Sequence, residues 1–322
     1  MINLSRRAFA FSLPAAGAAA AAALTSGVQA TAAQTPASGP VSPLAQIRIG
    51  RFTVTALSDG FADMPYGYFP GQSAELVEAA ARAQFVARST GVRFVFNQYL
   101  VEDGERRILI DAGPAGSMGQ TGHLPKALAA LGLRADQVDA VIVTHMHQDH
   151  MGGLVAGDRR VFPKAEIYVD RRDVRYWTDA ARQARAPDFL QGSFRMAADL
   201  VRLYPGLQAT EGDHQIMRGL SLVDLAGHTP GHIGVRIEDA GQSLIMVSDM
   251  LFPVVHPEAT NVAFLFEQDR PAAEAMRARF FPQAAKEKVL IAATHMPFPG
   301  LGRIVREDRK LRWLAADWAF QS

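Results

Sequence analysis

The strongest constraint on this chain is a heptapeptide rich in potential metal ligands, Thr144-His145-Met146-His147-Gln148-Asp149-His150. It begins where residues 138–144 end, and those residues form a short apolar run that is typical of a buried strand. His145 and His147 are two residues apart, so an extended backbone would place both rings on the same side. Asp149 and His150 can turn towards a second position as the chain leaves the strand. Four ionisable groups at the end of a buried strand would be costly without a partner, so the heptapeptide predicts a metal site.

Three more potential ligands, His228, Asp249 and His295, each follow a predicted strand. Any one of them alone could equally be a structural residue. Their shared position favours a site built by loops at one edge of a sheet. His232 lies in the same turn as His228, and we expect it to support a ligand rather than to bind the metal. Imidazole and carboxylate suit zinc, and also iron, manganese or cobalt.

Composition excludes several classes of protein. The chain contains no cysteine, so it has neither disulfides nor thiolate metal ligands. The first 45 residues contain two arginines and no acid, so the rest of the chain has 33 − 2 = 31 basic and 32 acidic residues, a net charge of −1. A nearly neutral body gives no electrostatic basis for binding nucleic acid, and we expect no such partner.

The N-terminus resembles a twin-arginine export signal. Arg6 and Arg7 precede an apolar run over residues 8–24, and small-residue cleavage sites follow at Ala30 or Ala33. This pattern predicts a periplasmic or secreted protein.

An uncleaved membrane anchor is the alternative, but Pro14 and Gly17 interrupt a run that is short for a membrane span. We therefore expect no stable membrane anchor after cleavage. The predicted organisation is an export signal over residues 1–33, a flexible linker over 34–45 and one folded domain over 46–322.

The order of strand and helix patterns predicts an α/β fold in two halves. In the first half we expect Ser58-Asp59-Gly60 to close the second strand with a turn. In the second half, Asp239-Ala240-Gly241 predicts a hairpin. Residues 170–204, which lie between the two halves, are predicted to be mostly helical. Two sheets with helices outside would fit. The predicted strands cover residues 47–49, 52–56, 93–101, 107–110, 138–144, 220–225, 235–237, 244–247 and 288–293, and the other predicted helices cover 124–131 and 272–280.

The spacing HxHxDH followed by a distant His, Asp and His resembles the metallo-β-lactamase superfamily. That resemblance implies a four-layer αββα sandwich of two similar halves, with the metals at one edge between the sheets. It also implies that His145, His147 and His228 hold one cation, that Asp149, His150 and His295 hold the other, and that Asp249 bridges them.

Four longer segments resemble methyl parathion hydrolase and its relatives: residues 55–60, 144–147, 227–232 and 295–300. This narrower resemblance implies two zinc ions, a homodimer, and hydrolysis of organophosphate triesters, aryl esters or lactones. It also implies an apolar substrate pocket. Met118 stands where that family has an aromatic pocket residue, Trp177 matches another, and either Phe189 or Phe194 matches a third. Ordinary core packing is the alternative for these side chains.

The expected reaction needs no side-chain nucleophile. Divalent metals can lower the pKa of water from about 15.7 to about 7, so a hydroxide bridging two cations could attack an ester, lactone or phosphotriester. Asp249 would position that oxygen, and the roles open to Asp149 are ligand and proton relay.

Several alternatives are weighed against this hypothesis. A lactonase with only incidental phosphotriesterase activity and a non-catalytic metal-binding protein of the same fold both remain open. A glutathione thioesterase remains open by fold. The commonest zinc β-lactamases use a cysteine ligand that this chain lacks, and a flavin-coupled di-iron enzyme would have Glu at the position of His147.

Overall fold

The structure is a computed structural model, and it describes residues 43–254 and 261–317. The predicted export signal and most of the predicted linker lie outside the described residues. The linker boundary at residue 45 is wrong, because the first strand begins at Leu44, which pairs with Leu57. Within the described residues, no helix combines the length and the apolar character needed to cross a bilayer.

Seventeen strands and seven α-helices are described. The strands of the first half are β1 Leu44–Ile49, β2 Phe52–Met64, β3 Ala87–Arg88, β4 Gly91–Glu102, β5 Arg107–Ile110, β6 Ala140–Ile142, β7 Val155–Ala156, β8 Arg159–Arg160, β9 Glu166–Asp170 and β10 Gln208–Thr210. Those of the second half are β11 His214–Met217, β12 Leu220–Asp224, β13 Ile233–Asp239, β14 Gln242–Met246, β15 Leu290–Ala292, β16 Leu301–Glu307 and β17 Lys310–Ala315. The helices are α1 Ala74–Ala83, α2 Leu124–Ala130, α3 Gln148–Met151, α4 Arg171–Trp177, α5 Ala180–Gln183, α6 Asp188–Leu203 and α7 Arg270–Glu287.

The strands form two large sheets, as predicted. The first has the order β1-β2-β4-β5-β6-β9-β10 with β3 beside β4, and the second has the order β11-β12-β13-β14-β15-β16-β17. Strands β7 and β8 form a separate small hairpin.

Alternating side chains explain why the sheets are layered. In β5, Ile108 and Ile110 face the core between the sheets, whereas Leu109 faces the core beneath α2, α4 and α6. In β14, Leu244 also enters the core between the sheets, and Ile245 packs beneath α7. Because neighbouring side chains in a strand point to opposite faces, continuous apolar runs bury both faces of each sheet. The predicted four-layer αββα arrangement is confirmed.

The predicted turn at Ser58-Asp59-Gly60 is wrong. Strand β2 continues through it to Met64, and its register against β4 shifts between Ser58 and Gly60. Gly60 has φ 129°, and a Cβ there would lie 1.9 Å from the carbonyl oxygen of Gln120. The turn-forming residues therefore make a bulge in the strand, and only glycine fits its tightest point.

Candidate metal centre

All seven predicted ligands come together where strands of both sheets end. His145 and His147 follow β6, and the short helix α3 presents Asp149 and His150. The second sheet contributes three: His228 from the loop between β12 and β13, Asp249 from a 3-10 turn after β14, and His295 after β15. Five short groups of residues separated by up to 150 positions thus converge at one edge.

Three imidazoles form the first cluster. His147 Nδ1 lies 2.9 Å from His145 Nε2 and 3.1 Å from His228 Nε2. The three side chains are buried. One ring nitrogen from each lies within 4.8 Å of the others, which is close enough for the three to bind one ion.

The second cluster contains Asp149, His150 and His295. Asp149 Oδ2 lies 3.3 Å from His150 Nε2 and 3.5 Å from His295 Nε2.

Asp249 lies between the two clusters. Its Oδ1 is 3.2 Å from the Nε2 atoms of both His150 and His295. Its Oδ2 is 3.3 Å from His228 Nε2 and 3.9 Å from His145 Nε2. One carboxylate thus presents one oxygen to each cluster.

The protonation states suit cation binding. Burial lowers the pKa of His147 to about 4 and holds the pKa values of His145 and His228 well below their usual range, so these rings are neutral. Burial alone would raise the pKa values of Asp149 and Asp249, but the neighbouring histidines outweigh it and lower both, which keeps the carboxylates ionised. Neutral imidazoles and ionised carboxylates are the forms that bind metals.

His150 differs because acids surround it. Burial lowers its pKa, but Asp149, Asp249 and Asp111 outweigh burial and raise the pKa well above its usual range. His150 Nε2 is buried between carboxylate oxygens without a hydrogen bond, and a proton or a cation can neutralise this concentration of negative charge. The donor set of both clusters therefore fits divalent cations.

Asp111 supports the second cluster and was missed by the sequence analysis. It follows β5, and its Oδ2 accepts the Nδ1 proton of His150 over 2.8 Å. It also accepts from the Thr144 backbone N at 2.8 Å and the Thr144 hydroxyl at 2.9 Å. An imidazole whose Nδ1 donates to a carboxylate offers its Nε2 to a metal. The rule that ligands follow strands could have found Asp111, since it directly follows an apolar run.

Asp173 joins two ligand segments and was also missed. Its carboxyl group accepts from Met146 N at 2.8 Å, from Gly231 N at 2.6 Å and from the Thr229 hydroxyl at 2.9 Å. It thereby ties the segment of His145 and His147 to the turn that contains His228.

His232 lies in the supporting position expected for it. Its Nδ1 is 3.2 Å from the Leu225 carbonyl oxygen, and its ring packs 5.1 Å from that of His145. It belongs to neither of the clusters found among the described residues.

A small cavity of about 110 Å³ opens over the two clusters. Two of the predicted pocket residues, Met118 and Phe189, line it, and Gln148 and Ser193 add polar groups. No lysine or arginine is among the described residues that line it. The rest of the lining consists of Met64, Phe94, Phe264 and Phe266 with His147, Asp149, Asp249 and His295.

The predicted pocket role is wrong for Trp177 and Phe194, which do not line the cavity. Trp177 is fully buried behind His147, with ring centres 5.1 Å apart, and Phe194 packs 4.8 Å from Trp177. Both belong to the core beneath α4 and α6, because the apolar faces of those helices point inward. Core packing, the alternative considered from the sequence, is correct for both.

Phe264 and Phe266 supply the aromatic wall instead. The Phe266 ring lies 6.2 Å from that of His147 and 5.2 Å from that of Phe189. Their spacing of two is a strand-like alternation that the sequence analysis left unassigned, because no regular element encloses it.

Comparisons with known proteins agree with this site. Residues 93–310 match the family model of the metallo-beta-lactamase superfamily. A hydroxyacylglutathione hydrolase of Aeromonas salmonicida (strain A449) is 30% identical over 156 residues, which make up 48% of this chain and 46% of the relative. The chain thus spans about half the length of the curated relatives it matches.

Two solved structures share the fold over most of the chain. The hydrolase AbOPH of the beta-lactamase superfamily is 27% identical with a TM-score of 0.80, covering 88% of this chain and 100% of its own. AidC, a dizinc quorum-quenching lactonase, is 23% identical with a TM-score of 0.79, covering 87% of this chain and 99% of its own. At that identity the likeness to AidC concerns the fold alone.

Proposed function

Because the chain belongs to the metallo-β-lactamase superfamily, we propose that it is a hydrolase that requires two divalent cations, both zinc. The first would be held by His145, His147 and His228, and the second by Asp149, His150 and His295. The observation that carries this proposal is the position of Asp249, whose two oxygens each face one cluster. A single carboxylate in that position is suited to bridging two cations.

Bound divalent cations would supply Lewis acidity and lower the pKa of water from about 15.7 to about 7. The chain's own residues orient the reactants. Asp249, with only 3% of its side chain exposed, is buried between the clusters. Asp149 has 16% of its side chain exposed and lines the cavity, so it is the ligand best placed to exchange a proton with solvent.

We further propose that the substrate is a neutral ester, lactone or phosphotriester with a small apolar group. The cavity walls are mainly aromatic rings and methionines, with Gln148 and Ser193 as polar groups and no lysine or arginine among the described residues, so a bound anion would gain no ion pair from them. A glutathione thioester is anionic and would be disfavoured. A volume of about 110 Å³ fits a small ring or short chain.

A substrate screen tests this proposal. Zinc-loaded protein should hydrolyse neutral aryl esters, lactones or phosphotriesters with a kcat/KM about 100-fold or more above that for S-lactoylglutathione, which amounts to roughly 2.7 kcal/mol in the transition state. Met118→Arg introduces a cation at the cavity wall and should reduce the preference for neutral over anionic substrates. Leu76→Arg, at an exposed position of α1, is a matched control that should leave this preference unchanged. Faster hydrolysis of the anionic thioester would contradict the proposal, as would fully zinc-loaded protein that cleaves none of these classes.

We also infer that the enzyme is exported to the periplasm or secreted, and that it forms a homodimer. The first inference rests on the paired arginines and apolar run of residues 1–33, and the second on the resemblance to methyl parathion hydrolase. Fractionation of producing cells and light scattering of the purified protein would test them.

A further inference from the structure

Three of the ligands are directly preceded by a residue with a hydroxyl group: Thr144 before His145, Ser248 before Asp249, and Thr294 before His295. All three hydroxyl residues are buried, and their side chains meet beneath the ligands. Ser248 Oγ lies 2.9 Å from Thr144 Oγ1 and 3.5 Å from Thr294 Oγ1. The contact between Ser248 and Thr144 joins the end of the second sheet to the end of the first.

Ser248 occupies a backbone conformation that favours glycine. Its φ is 45°, where a side chain causes steric strain and glycine does not. Strain of this kind persists where the surrounding structure holds the residue in place, and it is concentrated at functional sites. Serine has one group that glycine lacks, the hydroxyl, and its contacts with Thr144 and Thr294 give a reason for serine at this strained position.

The protons of this network can be assigned by counting donors. Thr144 has one hydroxyl proton and donates it to Asp111 Oδ2 over 2.9 Å. Thr144 must therefore be the acceptor in its 2.9 Å contact with Ser248, and the Ser248 proton favours this contact over the longer one, of 3.3 Å, to Asp249 Oδ1. Thr294 in turn donates to Ser248. The bonds run in one direction, from Thr294 through Ser248 and Thr144 to the Asp111 carboxylate.

Asp111 is also the carboxylate that accepts the Nδ1 proton of His150 at 2.8 Å. Hydrogen bonds in such a row polarise one another, and each bond strengthens the next. A carboxylate whose position is fixed by this row holds the His150 ring with Nδ1–H towards Asp111 and Nε2 towards the second cluster.

We propose that Ser248 is a positioning residue for metal binding, and that its hydroxyl group links the two sheets and fixes the orientation of His150 through Thr144 and Asp111. The inference rests on the proposed function, because His150 is taken as a metal ligand.

Zinc affinity, measured by competition with a chromophoric chelator, tests the proposal in two variants. Ser248→Ala removes the hydroxyl and keeps the strained backbone, whereas Ser248→Gly removes both the hydroxyl and the strain. We expect each to bind zinc about 10- to 100-fold more weakly than the wild type, the usual effect of losing a group that orients a ligand. In folded, zinc-loaded protein, nitrogen NMR should show a changed chemical shift of His150 Nδ1 in both variants, because its hydrogen bond to Asp111 is altered, whereas a general loss of stability leaves the shift of the folded state unchanged.

Lys288→Gly is the matched control, because Lys288 also has a positive φ, of 55°, but is exposed at the end of α7. It should leave zinc affinity unchanged while relieving the same kind of strain. Wild-type zinc affinity in Ser248→Gly would overturn the inference and leave the proposed function intact. A wild-type chain that binds no zinc would overturn both.

Discussion

Asp173 shows how one buried group can connect distant parts of the chain. Its side chain is fully buried, and burial raises its pKa to about 6 although three hydrogen-bond donors act in the opposite direction. The donors are the Met146 and Gly231 backbone nitrogens and the Thr229 hydroxyl, which all belong to segments that carry proposed ligands. The carboxyl group thereby positions ligands without contacting the cavity.

The raised pKa of Asp173 predicts a specific dependence of stability on pH. The folded protein keeps the Asp173 proton up to about pH 6, whereas the unfolded chain releases it near 3.8. Between these values the unfolded state binds fewer protons, so the contribution of Asp173 to the free energy of unfolding falls as pH rises. The fall is on the order of 3 kcal/mol and is complete somewhat above pH 6.

Urea unfolding of the wild type and Asp173→Asn between pH 4 and 7.5 measures this effect. As pH rises over this range, the free energy of unfolding of the wild type should fall by about 3 kcal/mol relative to that of Asp173→Asn. Asp158→Asn, at an exposed position, controls for the loss of one negative charge. A difference that stays constant over this pH range would contradict the raised pKa of Asp173.

The seven clustered residues could be predicted at the residue level because they stand at or just beyond the ends of apolar runs and belong to residue types that bind metals. Asp173 could not be predicted in this way. Its partners are backbone groups 27 and 58 positions away, and nothing in the local sequence marks them. The predicted pocket role of Trp177 was wrong for a related reason. Tryptophan suits a pocket wall and a core equally, and only the packing of α4 decides between them.

At the scale of elements, α7 and the segment before it hold the aromatic wall in place. Glu267 in that segment and Arg277 in α7 form an ion pair that is buried on both sides. Arg277 Nε also donates to the Met250 carbonyl oxygen at 3.2 Å, next to Asp249, and Gln268 N donates to the His228 carbonyl oxygen at 2.8 Å. Helix α7 and the segment before it therefore support both Asp249 and the residues over the cavity.

Breaking this buried pair should be costly, whereas replacing both partners should cost less. Glu267→Leu leaves a buried guanidinium without its partner, and we expect a loss of about 3–5 kcal/mol of stability. Glu267→Leu combined with Arg277→Met should lose less than that single variant. Denaturant titration of the single and double variants measures the coupling between the two residues.

The exposed pair of Glu78 and Arg82 on α1 is a matched control, and its coupling should be no more than about 0.5 kcal/mol. Equal coupling in the two pairs would show that burial of Glu267 and Arg277 has no energetic consequence.

Elements with regular periodicity were predictable, and irregular ones were not. The alternation in β4 and β5 and the hairpin between β13 and β14 were identified correctly because periodicity and turn residues agree there. The bulge in β2 was misread, because Ser58-Asp59-Gly60 has the composition of a turn, and only pairing with β4 keeps it in the strand. The segment around Phe264 could not be placed from its strand-like alternation, since its conformation depends on contacts with Tyr68 and His228.

At the scale of the whole molecule, the site exists only where the two sheets meet. The first half provides His145, His147, Asp149 and His150, and the second provides His228, Asp249 and His295. The sequence predicts two layered halves, but not how one sheet is positioned against the other, because that depends on packing between side chains such as Ile110 and Leu222. Bound cations would join the halves and should stabilise the whole fold.

The number of zinc ions bound per chain tests the central claim most directly. Purified protein loaded with zinc, dialysed against metal-free buffer and measured by elemental mass spectrometry should retain two ions per chain, because seven side chains provide two sets of ligands joined by Asp249. His147→Ala should retain fewer and lose hydrolytic activity. Retention of less than one ion per chain by fully folded wild-type protein would contradict the claim.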